Sequence, residues 1–291
     1  MKSSWFMTLH KSPEETWNLL TQADPLGQWF DPGAKLNLQK GGLFELPGET
    51  QFRGEVGTVR VESFEPKARI DFSWPVNNVP TKLTWIVEPD LKGSKLTVQC
   101  ESPDNQQFRQ NRSNDGVLKH YWKANLTGLQ FLCELSRDPG RQILRTRNLK
   151  EVHLAHTYDC SRDRLWRAIT SPLEMDKWIS KKAEVDLRKG GRITYGWDHG
   201  AAEILDLKEK EMISFSWVND DEVSSVSWQL TSHGPQQTRL DFRHHNFSGK
   251  YPMLATGYNE GWYSFMLLLG LYVEKGLVTK DWSNLNDDPN S

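Results

Sequence analysis

The chain's candidate chemistry rests on indole and imidazole. Thirteen of its 291 residues are Trp, and ten of these fall into five pairs: Trp17 with Trp166, Trp29 with Trp178, Trp74 with Trp217, Trp85 with Trp228, and Trp122 with Trp262. An indole offers a wide apolar face and one N–H donor. That suits it equally to filling a core and to holding a flat apolar ligand in one orientation. Trp17 and Trp166 lie on amphipathic helical patterns and read as packing. For the other four pairs, packing and pocket lining stand level. His244 and His245 end a strand pattern, where neighbours point to opposite faces, so one of them can look inward. That ring is either a ligand's hydrogen-bond partner or a structurally paired side chain. The candidate ligand-binding set is therefore Trp29, Trp74, Trp85, Trp122, Trp178, Trp217, Trp228, His244, Tyr258 and Trp262.

Other chemistries find little support in the spacing. His153 and His156 also face opposite ways on a strand, so no histidine pair converges on a metal. His120 lies across the last helix of the first half from Trp122 and is expected to be exposed. The three cysteines, Cys100, Cys133 and Cys160, include no CxxC and are odd in number, so neither a disulfide framework nor a zinc ribbon is expected. Lys40-Gly41-Gly42 and Lys189-Gly190-Gly191 are Gly-Gly between strands, which reads as a hairpin turn and not a phosphate loop. There is no GxSxG and no HExxH. The acidic runs Glu14-Glu15 and Asp220-Asp221-Glu222 fit a helix start and a solvated loop. No catalytic residue, metal or cofactor is expected.

The elements that position these residues occur twice. Trp17-Asn-Leu-Leu-Thr, Trp29-Phe30 and Lys40-Gly41-Gly42 return 149 positions later as Trp166-Arg-Ala-Ile-Thr, Trp178-Ile179 and Lys189-Gly190-Gly191. Asp71-Phe-Ser-Trp74 returns as Ser214-Phe-Ser-Trp217 at an offset of 143, and Trp122 as Trp262 at 140. A period of this size is a whole domain, not a solenoid repeat. Each copy runs strand, helix, about six short strands, long helix.

In the first copy, Ser12-Pro13-Glu14-Glu15 makes a capping box, and Asp24-Pro25 reads as the stop of the first helix. The strands are expected at 35–38, 43–46, 55–64, 68–74, 81–87 and 95–100. In the second copy Ser161 keeps the cap while Arg164 takes the box position. The closing helices carry Leu118, Trp122, Leu126, Leu129 and Leu132 in one copy. In the other, Tyr258, Trp262, Phe265, Met266, Leu269, Tyr272 and Val273 form one apolar stripe, ended by Gly276. The fold class is α+β: two domains, each a curved antiparallel sheet around a long C-terminal helix. The expected bounds are 1–138 and 150–278, joined by a linker at 139–149 and followed by a disordered tail at 279–291.

Net charge is −2, which provides no global field for nucleic acid. Residues 141–150 carry Arg141, Arg145, Arg147 and Lys150 without an acidic residue, and read as a solvated linker. The N-terminus has no signal-peptide core and the most apolar stretch, Phe265 to Val273, is too short to span a bilayer. A reduced, cytoplasmic protein without membrane insertion is expected.

The stretch Arg164-Leu-Trp-Arg-Ala-Ile-Thr-Ser-Pro-Leu-Glu-Met-Asp-Lys-Trp178, then Lys189-Gly-Gly-Arg-Ile193, then Gly261-Trp262, closely resembles the activator of heat-shock-protein-90 ATPase homologue-like family. That family lies in the START-like superfamily often called SRPBCC. The first copy matches through Glu15-Thr-Trp17, Gln28-Trp29-Phe30 and Lys40-Gly41-Gly42, and departs where His120-Tyr121-Trp122 replaces Gly-Trp. The resemblance implies a helix-grip fold with a cavity between sheet and long helix that takes a small apolar molecule. It also implies two alternatives: a chaperone-accessory interaction module, and a cyclase- or hydrolase-like enzyme. The expected function is non-enzymatic binding of a small hydrophobic or aromatic ligand.

Overall fold

The computed structural model describes residues 2–47, 58–75, 79–103, 114–140, 150–197, 200–250 and 254–278. The expected linker, from 141 on, and the expected tail lie outside these residues, as does the His120 side chain. The chain divides into two compact units, one within residues 1–145 and one within 146–280.

In the first domain, β1 (Lys2–Leu9) leads to α1 (Pro13–Thr21) and α2 (Ala23–Trp29). The capping box is present. The Ser12 hydroxyl accepts from the Glu15 N–H, and the Glu15 carboxylate accepts from the Ser12 N–H at 2.8 Å. Asp24-Pro25 does not end α1, contrary to expectation. The break falls at Gln22, which is extended (φ −81°, ψ 138°), and Pro25 occupies the first turn of α2. Proline is tolerated there because a first-turn N–H has no helical partner to lose.

The strands follow as β2 (Lys35–Leu36), β3 (Leu43–Glu45), β4 (Val59–Glu65), β5 (Arg69–Ser73), β6 (Lys82–Asp90) and β7 (Gly93–Glu101), and α3 (Asn114–Leu135) closes the domain. They form one antiparallel sheet in the order β1-β7-β6-β5-β4-β3-β2. The register pairs Leu83 with Cys100, Trp85 with Val98 and Val87 with Leu96. All six are buried, so the two alternating rows lie on one inner face of the sheet.

The second domain repeats the order: β8 (Val152–Tyr158), α4 (Arg162–Thr170), α5 (Pro172–Met175), β9 (Glu184–Val185), β10 (Ile193–Thr194), β11 (Gly200–Lys208), β12 (Met212–Asn219), β13 (Glu222–Gly234), β14 (Gln237–His245) and α6 (Leu254–Lys275). Five strands run β11-β12-β13-β14-β8, with β9 and β10 as a separate hairpin. The hairpin is stitched to β11 through its glycines. Gly190 N–H donates to Ile204 O and Ile204 N–H to Gly191 O, each at 2.8 Å, as Gly41 and Gly42 do with Val61 in the first domain. Ser161 caps α4 by accepting from the Arg164 N–H.

The helix α6 departs from a single stripe. Leu267, Leu268 and Leu271, opposite Trp262 around the helix, are as buried as Met266 and Leu269. The run Met266 to Val273 is apolar all round, and it is buried all round. Gly276 follows α6 with φ +68°, a left-handed stop. Among the described residues, no helix is long and apolar enough to cross a membrane.

Candidate functional site

Trp29 and Trp178, both in the candidate ligand-binding set, lie inside their domains. They are 0% and 2% exposed, and each ties its helix break to the preceding helix. Trp29 Nε1 donates to Leu19 O at 2.9 Å, and Trp178 Nε1 to Ala168 O at 2.8 Å. The two bonds are related by the same 149-residue offset as the sequence motifs. An indole so used orders local backbone.

The inner face of the first domain is an aromatic cluster. Phe30 lies between 5.1 and 6.2 Å, ring centre to ring centre, from Trp29, Phe44, Trp74, Trp85, Tyr121 and Trp122. Trp85 and Trp122 meet edge to face at 6.4 Å. Thus four of the sequence-selected indoles, Trp29, Trp74, Trp85 and Trp122, gather around one phenylalanine that the selection had passed over. Edge-to-face and offset contacts of this kind add about 0.5–1.5 kcal/mol each beyond burial.

The second domain brings together Trp217, Trp228, His244, Tyr258 and Trp262 and joins four of them by hydrogen bonds. Trp217 Nε1 donates to the Tyr258 hydroxyl at 2.9 Å, and Trp262 Nε1 donates to His244 Nδ1 at 3.0 Å. Trp228 meets Phe242 edge to face at 4.9 Å and Trp262 at 5.7 Å. His244 is 0% exposed, while His245 is not buried, in keeping with the alternation of the strand.

The bond from Trp262 fixes the His244 tautomer. An indole nitrogen can only donate, so Nδ1 accepts and Nε2 carries the proton. Nε2 then donates to Ser224 Oγ at 2.8 Å, and the Ser224 hydroxyl turns toward Trp217 O at 3.4 Å. Burial pushes the His244 pKa down from 6.5 to about 3, with a smaller push from His245. The ring is therefore neutral.

Around this buried chain runs a half-buried aromatic border of which sequence reasoning had selected Tyr258 alone. Phe247 stacks on Tyr258 at 5.9 Å and 15°, and covers His244 at 4.6 Å. On the other side Trp197 stacks on Phe265 at 5.4 Å and 21°, and both contact the buried indoles, Trp197 with Trp217 and Phe265 with Trp262. Trp197, Phe247, Tyr258 and Phe265 are all of intermediate exposure. The Ser248 hydroxyl and N–H both donate to the Glu222 carboxylate, which anchors the turn carrying Phe247. Phe265 could have been found from the helical stripe. Phe247 and Trp197 lie in turns, where no periodicity marks them.

A second side-chain cluster pins α4, α5 and α6 together. Arg164 and the Tyr272 hydroxyl both donate to Glu174, Lys177 donates to it at 3.2 Å, and the Arg164 guanidinium lies 4.4 Å over the Tyr272 ring. Its donors, Tyr272 and Arg164 foremost, hold the Glu174 carboxyl down at about 2 against the pull of burial. The thiols of Cys100, Cys133 and Cys160 are buried, and burial raises each to about 12.

Element order, sheet curvature around a long helix, and an aromatic inner face define a tandem of helix-grip, START-like domains. The family described as "Activator of Hsp90 ATPase homolog 1-like protein" matches residues 10–134 and again 159–274, and the chain belongs to that family. No curated protein matches the sequence. Among solved structures, DynU16 of the dynemicin biosynthetic locus is 14% identical, covers 95% of this chain and 98% of its own, and has a TM-score of 0.41. CalU16 from Micromonospora echinospora is 23% identical over 46% of this chain and 80% of its own, at a TM-score of 0.39. The Aha1 dimer from Colwellia psychrerythraea is 18% identical over 44% and 98%, also at 0.39.

Proposed function

We propose that the protein binds a small hydrophobic or aromatic molecule and does not transform it, with the second domain as the site. The reading rests on the border of half-buried rings, Trp197 and Phe265 on one side and Phe247 and Tyr258 on the other, around the buried Trp217, Trp262 and His244. Half-buried flat rings over a neutral polar floor suit stacking on an aromatic ligand, with Tyr258 able to donate its hydroxyl proton to it. The sheet face and α6 keep the floor rigid.

The direction of the hydrogen bonds favours a non-enzymatic role. A histidine that activates a serine must accept the hydroxyl proton. Here Trp262 occupies the accepting nitrogen and Nε2 donates to Ser224, which leaves the serine unactivated. The buried, protonated thiols are poor nucleophiles and fit a reducing, cytoplasmic setting. 2-Naphthol, followed by Trp fluorescence and native mass spectrometry of the full chain, tests the reading. Binding at one equivalent that weakens about fivefold in Phe247→Ala, equivalent to the loss of about 1 kcal/mol of stacking, is the expected result. No saturable quenching and no adduct would remove it. With 2-naphthyl acetate, hydrolysis that disappears in Ser224→Ala would overturn the non-enzymatic part.

The family's description favours one further reading, a chaperone-accessory module. An Hsp90 ATPase assay with and without the protein decides it: an unchanged rate removes that reading.

A further inference from the structure

The turn that follows β14 is held down by a carboxylate that the strand alone does not call for. Glu222 opens β13 and is 2% exposed. At the 143-residue offset the first domain has Val79, 5% exposed, which fills the place with an apolar side chain. A buried carboxylate is tolerated where hydrogen bonds replace its water. Here the donors are the N–H and the hydroxyl of Ser248. Next to it, Asp221 accepts from Lys250. Residues 246–250 are thus tied at two points to the turn that leads into β13. Their backbone is not relaxed. Asn246 has φ +61° and Gly249 φ +83°, one on each side of Phe247-Ser248. A left-handed residue other than glycine persists where its surroundings enforce it, and such residues gather at clamps and switches. Between these two pivots Phe247 is laid over His244 at 4.6 Å and flat on Tyr258 at 5.9 Å.

A swing about Asn246 and Gly249 lifts one ring of the border and leaves the others in place. Tyr258 and Phe265 belong to α6, and Trp197 stands on the other side, ahead of β11. Beneath Phe247 run the two bonds from Trp217 to Tyr258 and from Trp262 to His244. We propose that residues 246–250 form a strap that opens and closes over the second-domain border, with Phe247 as its ring and Glu222 as its latch. The strap regulates the site assigned to the second domain, and in that role it rests on that reading. A guest enters when Ser248 leaves Glu222 and is held when Phe247 returns. This gives the buried carboxylate its purpose. With Val79 at that position, the first domain does not share the latch.

The strap is tested first without a guest, by exchange of indole N–H groups of the full chain in deuterium oxide, followed by heteronuclear NMR. The N–H groups of Trp217 and Trp262 lie under Phe247. That of Trp178, bonded to Ala168 O, belongs to the same domain but not to the strap. Glu222→Gln removes the charge of the latch. Ser248→Ala removes its hydroxyl from an exposed residue, and serves alone should Glu222→Gln fail to fold. In each variant Trp217 and Trp262 are expected to exchange about tenfold faster, the factor that matches one hydrogen bond to a charged group, with Trp178 unchanged. Unchanged rates at Trp217 and Trp262, or equal acceleration at Trp178, overturn the strap. Stopped-flow mixing with 2-naphthol then tests its role as a gate. Both variants should associate and dissociate faster, because a loosened latch speeds entry as well as escape. An association rate equal to that of the wild type overturns the gate, even where dissociation quickens. If 2-naphthol binds neither wild type nor variants, the second-domain reading falls and the gate falls with it, while the exchange rates still decide whether the strap opens.

Discussion

His244 is the residue whose environment makes the sharpest demands. Its folded pKa of about 3 lies below the ordinary 6.5, so the unfolded chain takes up a proton first as the pH falls. The stabilisation it provides is complete above about pH 6.5 and is lost as the pH drops toward 3, at up to about 1.4 kcal/mol per pH unit. Hydrogen exchange of second-domain peptides between pH 6.5 and 4 should show this slope, and His244→Phe should flatten it relative to wild type. The same variant leaves the Trp262 N–H buried and unpaired, a loss of about 1–3 kcal/mol at pH 7, readable from the urea midpoint. That one of His244 and His245 points inward was legible from strand alternation. Its bond to Trp262 was not, because β14 and α6 meet only in the folded domain. Glu174 behaves as a depressed carboxylate: its contribution is present above about pH 4.5 and disappears toward 2.

The Gly-Gly hairpins show at the level of elements how one turn sets the geometry of a sheet. A Cβ on Gly191 would lie 2.0 Å from Asp186 O, and one on Gly42 would lie 2.2 Å from Asn37 O. Gly190, by contrast, has φ +76° but open space around it. Gly191→Ala should therefore destabilise the second domain by about 1–3 kcal/mol through backbone displacement, and Gly190→Ala by about 1–2 kcal/mol through its left-handed backbone alone. Urea melts of the two variants check the order. The turns, the Ser12–Glu15 capping box and the long helices were readable because each is a local signal of a few adjacent or periodic residues. Asp24-Pro25 misled because proline both ends helices and starts them, and only the extended Gln22 shows which it does here. Phe247 and Trp197 were missed because turn residues obey no period, and the Arg164–Glu174–Tyr272 cluster because it joins three elements distant in sequence.

Across the whole molecule, duplication has kept the frame and let the interiors diverge. The indole pairs recur at matching positions, and Trp29 and Trp178 even keep the same bond to the preceding helix. The acceptor of the closing helix's indole does not recur: His244 accepts from Trp262 in the second interior, and Cys100 stands at its register position in the first. That asymmetry came from placing the copies on one register, which required the strand pairing as well as the repeated motifs. The central claim is that the ring border of the second domain receives an aromatic guest. The most direct measurement is a 2-naphthol titration of the full chain beside its Phe247→Ala and Trp197→Ala variants, read by Trp fluorescence. The account predicts saturable quenching at one equivalent in the wild type and affinity about fivefold weaker in each variant. Quenching that never saturates, or an affinity that neither substitution changes, would contradict it.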